Sequence, residues 1–231
     1  MAGRKTLKHL FIFLSIFFII TSVFSTYKER DWAVSKNIDY YNNNASAFYD
    51  RTAKTDLTVL YKEFLSLLSG KEASILDAGC GVGRDAAYFL KEGYDVVAFD
   101  ASAKMVDMAS QATGQKVLEM TFQEIEFKDS FDGVWAQLSL IHVPYEETRS
   151  VYEKIHQALK SDGVFAGSYK YGHDSMSTTE HDFWNMDEER FLRYIKGLFE
   201  PVHLWVEDDY RSQKNPSVDK KILNFMLRKI S

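Results

Sequence analysis

The alternating glycines Gly79, Gly81 and Gly83, set within Ser74-Ile-Leu-Asp-Ala-Gly-Cys-Gly-Val-Gly-Arg84, constrain this chain more than any other feature. The apolar run before Asp77 reads as a buried strand, and the glycines allow the backbone to turn tightly against a ligand. Asp85-Ala-Ala-Tyr-Phe-Leu-Lys-Glu92 then opens a helix that stops at Gly93. A second strand, Val96-Val-Ala-Phe-Asp100, delivers a carboxylate at its tip, the position from which a ribose diol is held by two hydrogen bonds.

The glycine spacing narrows the ligand. A dinucleotide turn has the pattern G-x-G-x-x-G and offers a bare helix N-terminus to a pyrophosphate. Here the pattern is G-x-G-x-G, and Asp77 and Asp85 bracket it. Two carboxylates repel a pyrophosphate and attract an amine. A ligand with adenosine at one end and an ammonium at the other fits, which describes S-adenosylmethionine. At these residues, D-A-G-C-G-x-G-R-D followed by F-D-A-S, the chain resembles the class I methyltransferase family, with the bacterial tellurite-resistance-type and related small-molecule enzymes as the nearest flavour.

The resemblance spans roughly Tyr40 to Lys229 and implies S-adenosylmethionine as cofactor, held at Asp77, Gly79, Cys80, Gly81, Gly83, Asp100 and Ala101. In the family an aspartate after the third strand meets the adenine amino group. Here the run is Met120-Thr-Phe-Gln123, so Thr121 stands in that place and Met120 and Phe122 either flank the base or simply pack. Gln137 matches the position that faces the methionine end. The segment from Tyr40 to Thr52 is similar to the leading helix that many such enzymes fold over the cofactor as a lid, with Tyr41 and Tyr49 either facing the sulfonium or packing on the sheet edge.

Net charge of −5 gives no general basic field for a nucleic-acid backbone, so none is expected as partner and a small-molecule methyl acceptor is favoured. The single cysteine, Cys80, excludes an intrachain disulfide framework and an all-cysteine metal site, and no metal is expected.

Two units are predicted: an apolar N-terminal segment over residues 1–26 and a methyltransferase domain over residues 37–231. Arg4, Lys5 and Lys8 precede Leu10-Phe-Ile-Phe-Leu-Ser-Ile-Phe-Phe-Ile-Ile20, and Thr21-Ser-Val-Phe-Ser-Thr26 offers small residues for cleavage near Ser25. Residues 10–24 would reach about 22 Å as a helix, short of a hydrocarbon core of about 30 Å. The readings are a membrane-associating anchor, export after cleavage, or a cytoplasmic protein whose start is assigned too far upstream.

Helices are predicted at Tyr40–Thr52, Asp56–Leu68, Asp85–Glu92, Ala103–Ala112, Tyr145–Leu159 and Glu188–Leu198. Strands are predicted at Ser74–Asp77, Asp95–Asp100, Lys116–Met120, Phe131–Ala136, Val164–Tyr169, Val202–Glu207 and Ile222–Arg228. That alternation predicts an α/β fold: a doubly wound, mainly parallel, seven-stranded Rossmann-like sheet ending in an antiparallel strand.

A sulfonium methyl is already activated, so transfer chiefly needs a positioned nucleophile and exclusion of water. His142, just past the fourth strand, is the candidate base. Tyr169 and Arg211 are candidate substrate contacts, and the polar run from Tyr169 to Trp184 is expected to form part of the substrate wall, with His173, His181, Asp174 and Asp182 read as solvated loop residues. An RNA or protein methyltransferase and a non-catalytic cofactor binder are the competing readings, and an NAD-dependent oxidoreductase lacks the phosphate-turn spacing.

Overall fold

A computed structural model describes residues 35–209 and 220–231. Strand β1, Ser74–Ala78, is buried at Ile75 through Ala78, as its apolar run requires. It lies between β2, Asp95–Asp100, and β4, Phe131–Gln137, parallel to both. With β3, Leu118–Glu119, β5, Leu159–Lys170, β8, Phe199–Asp208, and β9, Lys221–Lys229, the sheet runs β3-β2-β1-β4-β5-β9-β8. The first five strands are parallel; β9 is antiparallel to β5 and to β8. Chain order reverses between β1 and β4, and the carboxyl ends of strands at such a switch form a crevice.

Alternate residues of the inner strands feed two cores. Ile75, Trp135, Val164 and Ala166 pack on one face with helices α2, Thr58–Ser66, and α3, Arg84–Lys91. Leu76, Val134, Ala136 and Phe165 pack on the other with α5, Tyr145–Ala158, and α6, Glu188–Ile195. Both faces are covered, so the inner strands are apolar without a polar side. Helix α4, Ala103–Thr113, follows β2, its Met105 N–H accepted by the Ser102 side chain. Helix α1, over residues 35–52, lies ahead of this unit.

Several elements depart from the predicted ones; strand β8 begins at Phe199, three residues before the predicted Val202, and α2 is shorter than predicted at both ends. The third strand shrinks to Leu118–Glu119, because at the sheet edge it has only Phe99 and Asp100 of β2 to pair with. Strand β5 begins at Leu159, five residues before the predicted Val164, with Asp162 in the left-handed region at φ 61°. Helix α6 stops at Ile195 rather than Leu198, ahead of Gly197 at φ 75°. The polar run after Tyr169 holds an antiparallel hairpin, β6, Ser175–Ser177, with β7, Asp182–Trp184.

Among the described residues no helix is long and apolar enough to cross a membrane. The apolar segment at residues 10–24, the rest of the N-terminal unit to residue 26, and Arg211 lie outside the described residues.

Candidate cofactor and acceptor site

The glycine turn follows β1 and enters α3. Gly79 must be glycine twice over: its φ is 72°, and a Cβ there would come 2.5 Å from the Ser139 Cβ. Gly83, at φ 81°, caps α3, and a Cβ on it would sit 2.8 Å from the Ala109 Cα of α4. Close approach of turn and helix, rather than propensity, fixes these positions.

Three carboxylates meet around this turn and behave differently. Asp77, at the end of β1, is 1% exposed, and its Oδ2 has no hydrogen-bond partner. Burial first, then repulsion from Asp85, pushes its pKa well above the ordinary carboxylate value. Asp100 accepts the Gly81 N–H at 2.9 Å on Oδ2 and the Ser102 N–H at 2.9 Å on Oδ1, tying the tip of β2 to the turn. Burial outweighs those bonds and raises its pKa.

Asp85 is turned inward, which corrects the expectation that it brackets the ligand. Its carboxylate takes the Arg84 guanidinium, the Tyr61 hydroxyl and, at 2.9 Å, the Trp135 indole N–H. Burial alone would raise its pKa; the Arg84 charge and these donors hold it below the ordinary value. A buried carboxylate met by a guanidinium and two neutral donors is a satisfied hub of the core.

Cys80 is half-buried, and burial followed by the surrounding carboxylates lifts its thiol well above the usual range, leaving it unreactive. Ala101 sits beside Asp100 at the strand tip and is half-buried. Thr121 uses its N–H, at 2.8 Å, and its hydroxyl, at 2.9 Å, on Glu124 Oε2. Phe122 is buried edge-on against Phe99, and the Gly79 position lies 3.4 Å from its ring.

After β4 the chain makes a strained turn: Leu138 adopts φ 50°, its N–H is accepted by the Ser168 hydroxyl at 3.1 Å, and the Ser139 hydroxyl donates to the Ala78 carbonyl at 2.7 Å. A non-glycine residue held there by flanking bonds is a mark of functional turns. Gln137, half-buried at the carboxyl end of β4, enters this turn.

Helix α1 crosses the turn. Phe48 lies 3.3 Å from the Gly81 Cβ position, Asn42 Oδ1 accepts the Ser102 hydroxyl at 2.8 Å, and the Thr52 carbonyl accepts from Arg84 at 3.2 Å. Tyr41 stands edge-on to Phe48 and to His142, and its hydroxyl is 2.8 Å from His142 Nε2. His142 Nδ1 is 3.0 Å from the Asp182 carbonyl. A carbonyl only accepts, so Nδ1 carries the proton and Nε2 takes the Tyr41 O–H. Burial first, with the Lys170 charge adding to it, pushes the His142 pKa down to about 3, so the ring is neutral.

The structure therefore brings together Asp77, Gly79, Cys80, Gly81, Gly83, Asp100, Ala101, Phe122, Gln137 and Tyr41, while the Thr121 side chain is committed to Glu124. Tyr169 is a correction: it is 1% exposed in the core, its hydroxyl 2.8 Å from that of Tyr152, because its place on β5 faces α5 and α6. Asp182 is a second correction, buried rather than solvated. Phe48, Leu138, Ser139 and Lys36 were not singled out in the sequence; Leu138 and Ser139 carry no local signal, and Phe48 and Lys36 act only through distant partners.

Residues 76–167 match a family described as a methyltransferase domain. A protein of Geobacillus sp. (strain WCH70), named for methyltransferase activity, is 34% identical over 136 residues, 54% of this chain and 53% of that one. The malonyl-[acyl-carrier protein] O-methyltransferase of Salmonella typhimurium is 31% identical over 105 residues, 44% of this chain and 41% of its own. The chain thus spans about half the length of these curated relatives. Among solved structures, the Burkholderia thailandensis 1,6-didemethyltoxoflavin-N1-methyltransferase, with S-adenosylhomocysteine bound, superposes with a TM-score of 0.70 at 21% identity, covering 88% of this chain and 90% of that one. These likenesses reach the family and not the tellurite-resistance subtype. Over residues 76–167 the chain is thus similar to a methyltransferase domain, its curated relatives are named as methyltransferases, and its strand order and fold are shared with solved S-adenosylmethionine-dependent methyltransferases.

Proposed function

We propose that this chain is an S-adenosylmethionine-dependent methyltransferase that passes a methyl group to a small-molecule acceptor by in-line displacement. The observation that carries the reading is Asp77, a buried carboxylate beside the glycine turn with one oxygen unpartnered. A carboxylate desolvated without a partner is costly, and an ammonium relieves that cost where a pyrophosphate would add to it. The orphaned oxygen and the tight turn fit S-adenosylmethionine.

When bound, that cofactor supplies an activated methyl on a sulfonium. In this reading Asp77 takes the amine and Asp100 the ribose hydroxyls, using lone pairs its two backbone bonds leave over. Gly79, Cys80, Gly81, Gly83 and Ala101 shape the turn, Thr121 and Phe122 border the base, and Gln137 lies toward the methionine end.

His142 acts through Tyr41 rather than as a base. Both ring nitrogens are engaged and its ring is neutral, so it holds the Tyr41 hydroxyl in one orientation. With its O–H turned to His142, the Tyr41 hydroxyl presents an accepting oxygen, which would receive a hydrogen of the methyl acceptor and aim its nucleophile. Such a site suits a nucleophile that needs no strong base and carries a hydrogen to donate to Tyr41, such as a neutral amine. The Burkholderia structure, a methyltransferase for a small molecule, supports an acceptor of that size.

Calorimetric titration of the full chain with S-adenosylmethionine, S-adenosylhomocysteine and NADH tests the reading. Micromolar binding of the first two alone is expected; binding of NADH alone overturns it. The apolar segment over residues 10–24 supports attachment to a membrane through the N-terminal end. In a flotation assay with lipid vesicles the full chain is then expected to rise with the vesicles, and a chain left at the bottom refutes attachment.

A further inference from the structure

We propose that Asp182 is a positioning residue that latches helix α1 onto the β6–β7 hairpin and sets the ring of His142 in the same act. Every polar group of Asp182 is used. Its N–H donates to Asn37 Oδ1 at 2.7 Å, and its carboxylate Oδ1 takes the Lys36 ammonium at 2.8 Å and the Ser177 hydroxyl at 2.7 Å. Its carbonyl takes the His142 Nδ1–H at 3.0 Å. The neighbouring His181 stacks under Tyr40, ring centroids 4.0 Å apart.

The result is a closed circuit. Lys36, Asn37 and Tyr41 all belong to α1; the first two bind Asp182 directly, and Tyr41 binds His142, which binds Asp182. The hairpin is a separate two-stranded sheet, positioned by this circuit, by the bridge between Tyr171 and Met186 and by Phe183 of β7, which is buried in the main core with its ring against His142 and Lys170.

An exposed ion pair would carry little weight, but the Lys36 and Asp182 side chains are each 9% exposed, and breaking a buried pair strands a charge. Fixing the proton on Nδ1 through a carbonyl leaves Nε2 as the acceptor for Tyr41. Closure of α1 and orientation of His142 are therefore one event. What Tyr41 then faces rests on the methyltransferase reading; the latch does not.

The test uses the full chain without ligand, so that a failure to bind S-adenosylhomocysteine, measured separately, counts against the methyltransferase reading alone. Hydrogen exchange over residues 35–52 and ¹⁵N shifts of the His142 ring are compared for the native chain, Asp182→Asn, Lys36→Met, and the exchanged pair Lys36→Asp with Asp182→Lys. In each single variant, exchange in α1 is expected to quicken by about tenfold or more while β1, β4 and β5 keep their protection. The His142 ring, in a single Nδ1–H tautomer in the native chain, is expected to become a mixture, and the exchanged pair to restore both readouts. Unchanged α1 exchange, an equal rise throughout the molecule, a native-like tautomer in both single variants, or single-variant effects that the exchanged pair leaves in place would overturn the proposal.

Discussion

The glycine-turn half of the cleft and the α1–hairpin half are built on opposite plans. Around β1 and α3 the fixed parts are backbone: left-handed glycines, a strand tip whose carboxylate binds amides, and helices so close that no Cβ fits. Across the cleft the fixed parts are side chains from distant segments, Lys36 with Asp182 and Tyr41 with His142. The charge chemistry differs as well. The turn carries carboxylates that burial makes harder to ionise, while the far side carries an imidazole that burial makes harder to protonate. On the proposed reading, a ligand bearing a fixed cation is served by the first half, and a variable partner by the second.

The comparison is most sharply broken at Asp85. Asp85→Ala leaves Arg84, Tyr61 and Trp135 without their shared acceptor, and a loss of about 3–5 kcal/mol in urea unfolding is expected; a loss under about 1 kcal/mol would show that the turn does not lean on this hub. Asp100→Ala should weaken S-adenosylmethionine binding well over tenfold by calorimetry, since it removes a charged acceptor from the proposed ribose site. Asp77→Asn should separate binding from stability: the cofactor binds at least about tenfold more weakly, yet the ligand-free chain is more stable by about 1 kcal/mol, because a desolvated charge is gone.

Acid titration of stability gives the next effect. His142 is neutral when folded, with a pKa near 3 against about 6.5 unfolded, so its contribution is present above about pH 6.5 and drains away as pH falls toward 3. Asp77 and Asp100, raised by folding, have the opposite sign: their contribution is full below the ordinary carboxylate range and is lost as pH rises through their folded values. His142→Gln should flatten the acid-side decline and Asp77→Asn the opposing slope; identical pH profiles would erase the distinction between the two halves. Tyr41→Phe, the mildest change, should leave cofactor affinity within about twofold and slow turnover of an acceptor found by screening about tenfold.

The first half was legible in the sequence because its chemistry is local. Asp77, Gly79, Gly81, Gly83 and Asp100 lie within one strand-turn-helix-strand unit, and each strand ends where its apolar run does. Even there, direction was not legible: Asp85 lies beside the turn in sequence but points into the core, drawn by Trp135 from β4 and Tyr61 from α2. The second half was hidden because Lys36 and Asp182, 146 positions apart, look like ordinary polar residues until the fold joins them. Tyr169 misled for a similar reason, since strand alternation gave it to the core face.

Strand β8 raises a matter of timing. Its one neighbour in the sheet is β9, which follows it in the chain and lies between it and β5. A ribosome therefore delivers the outer strand before the strand that attaches it, and Phe199–Asp208 must wait beside an unfinished edge until Lys221–Lys229 threads into place. Assembly of this side runs inward from late sequence, so a chain cut anywhere before Lys221 leaves β5 as a raw edge and β8 with nothing to join.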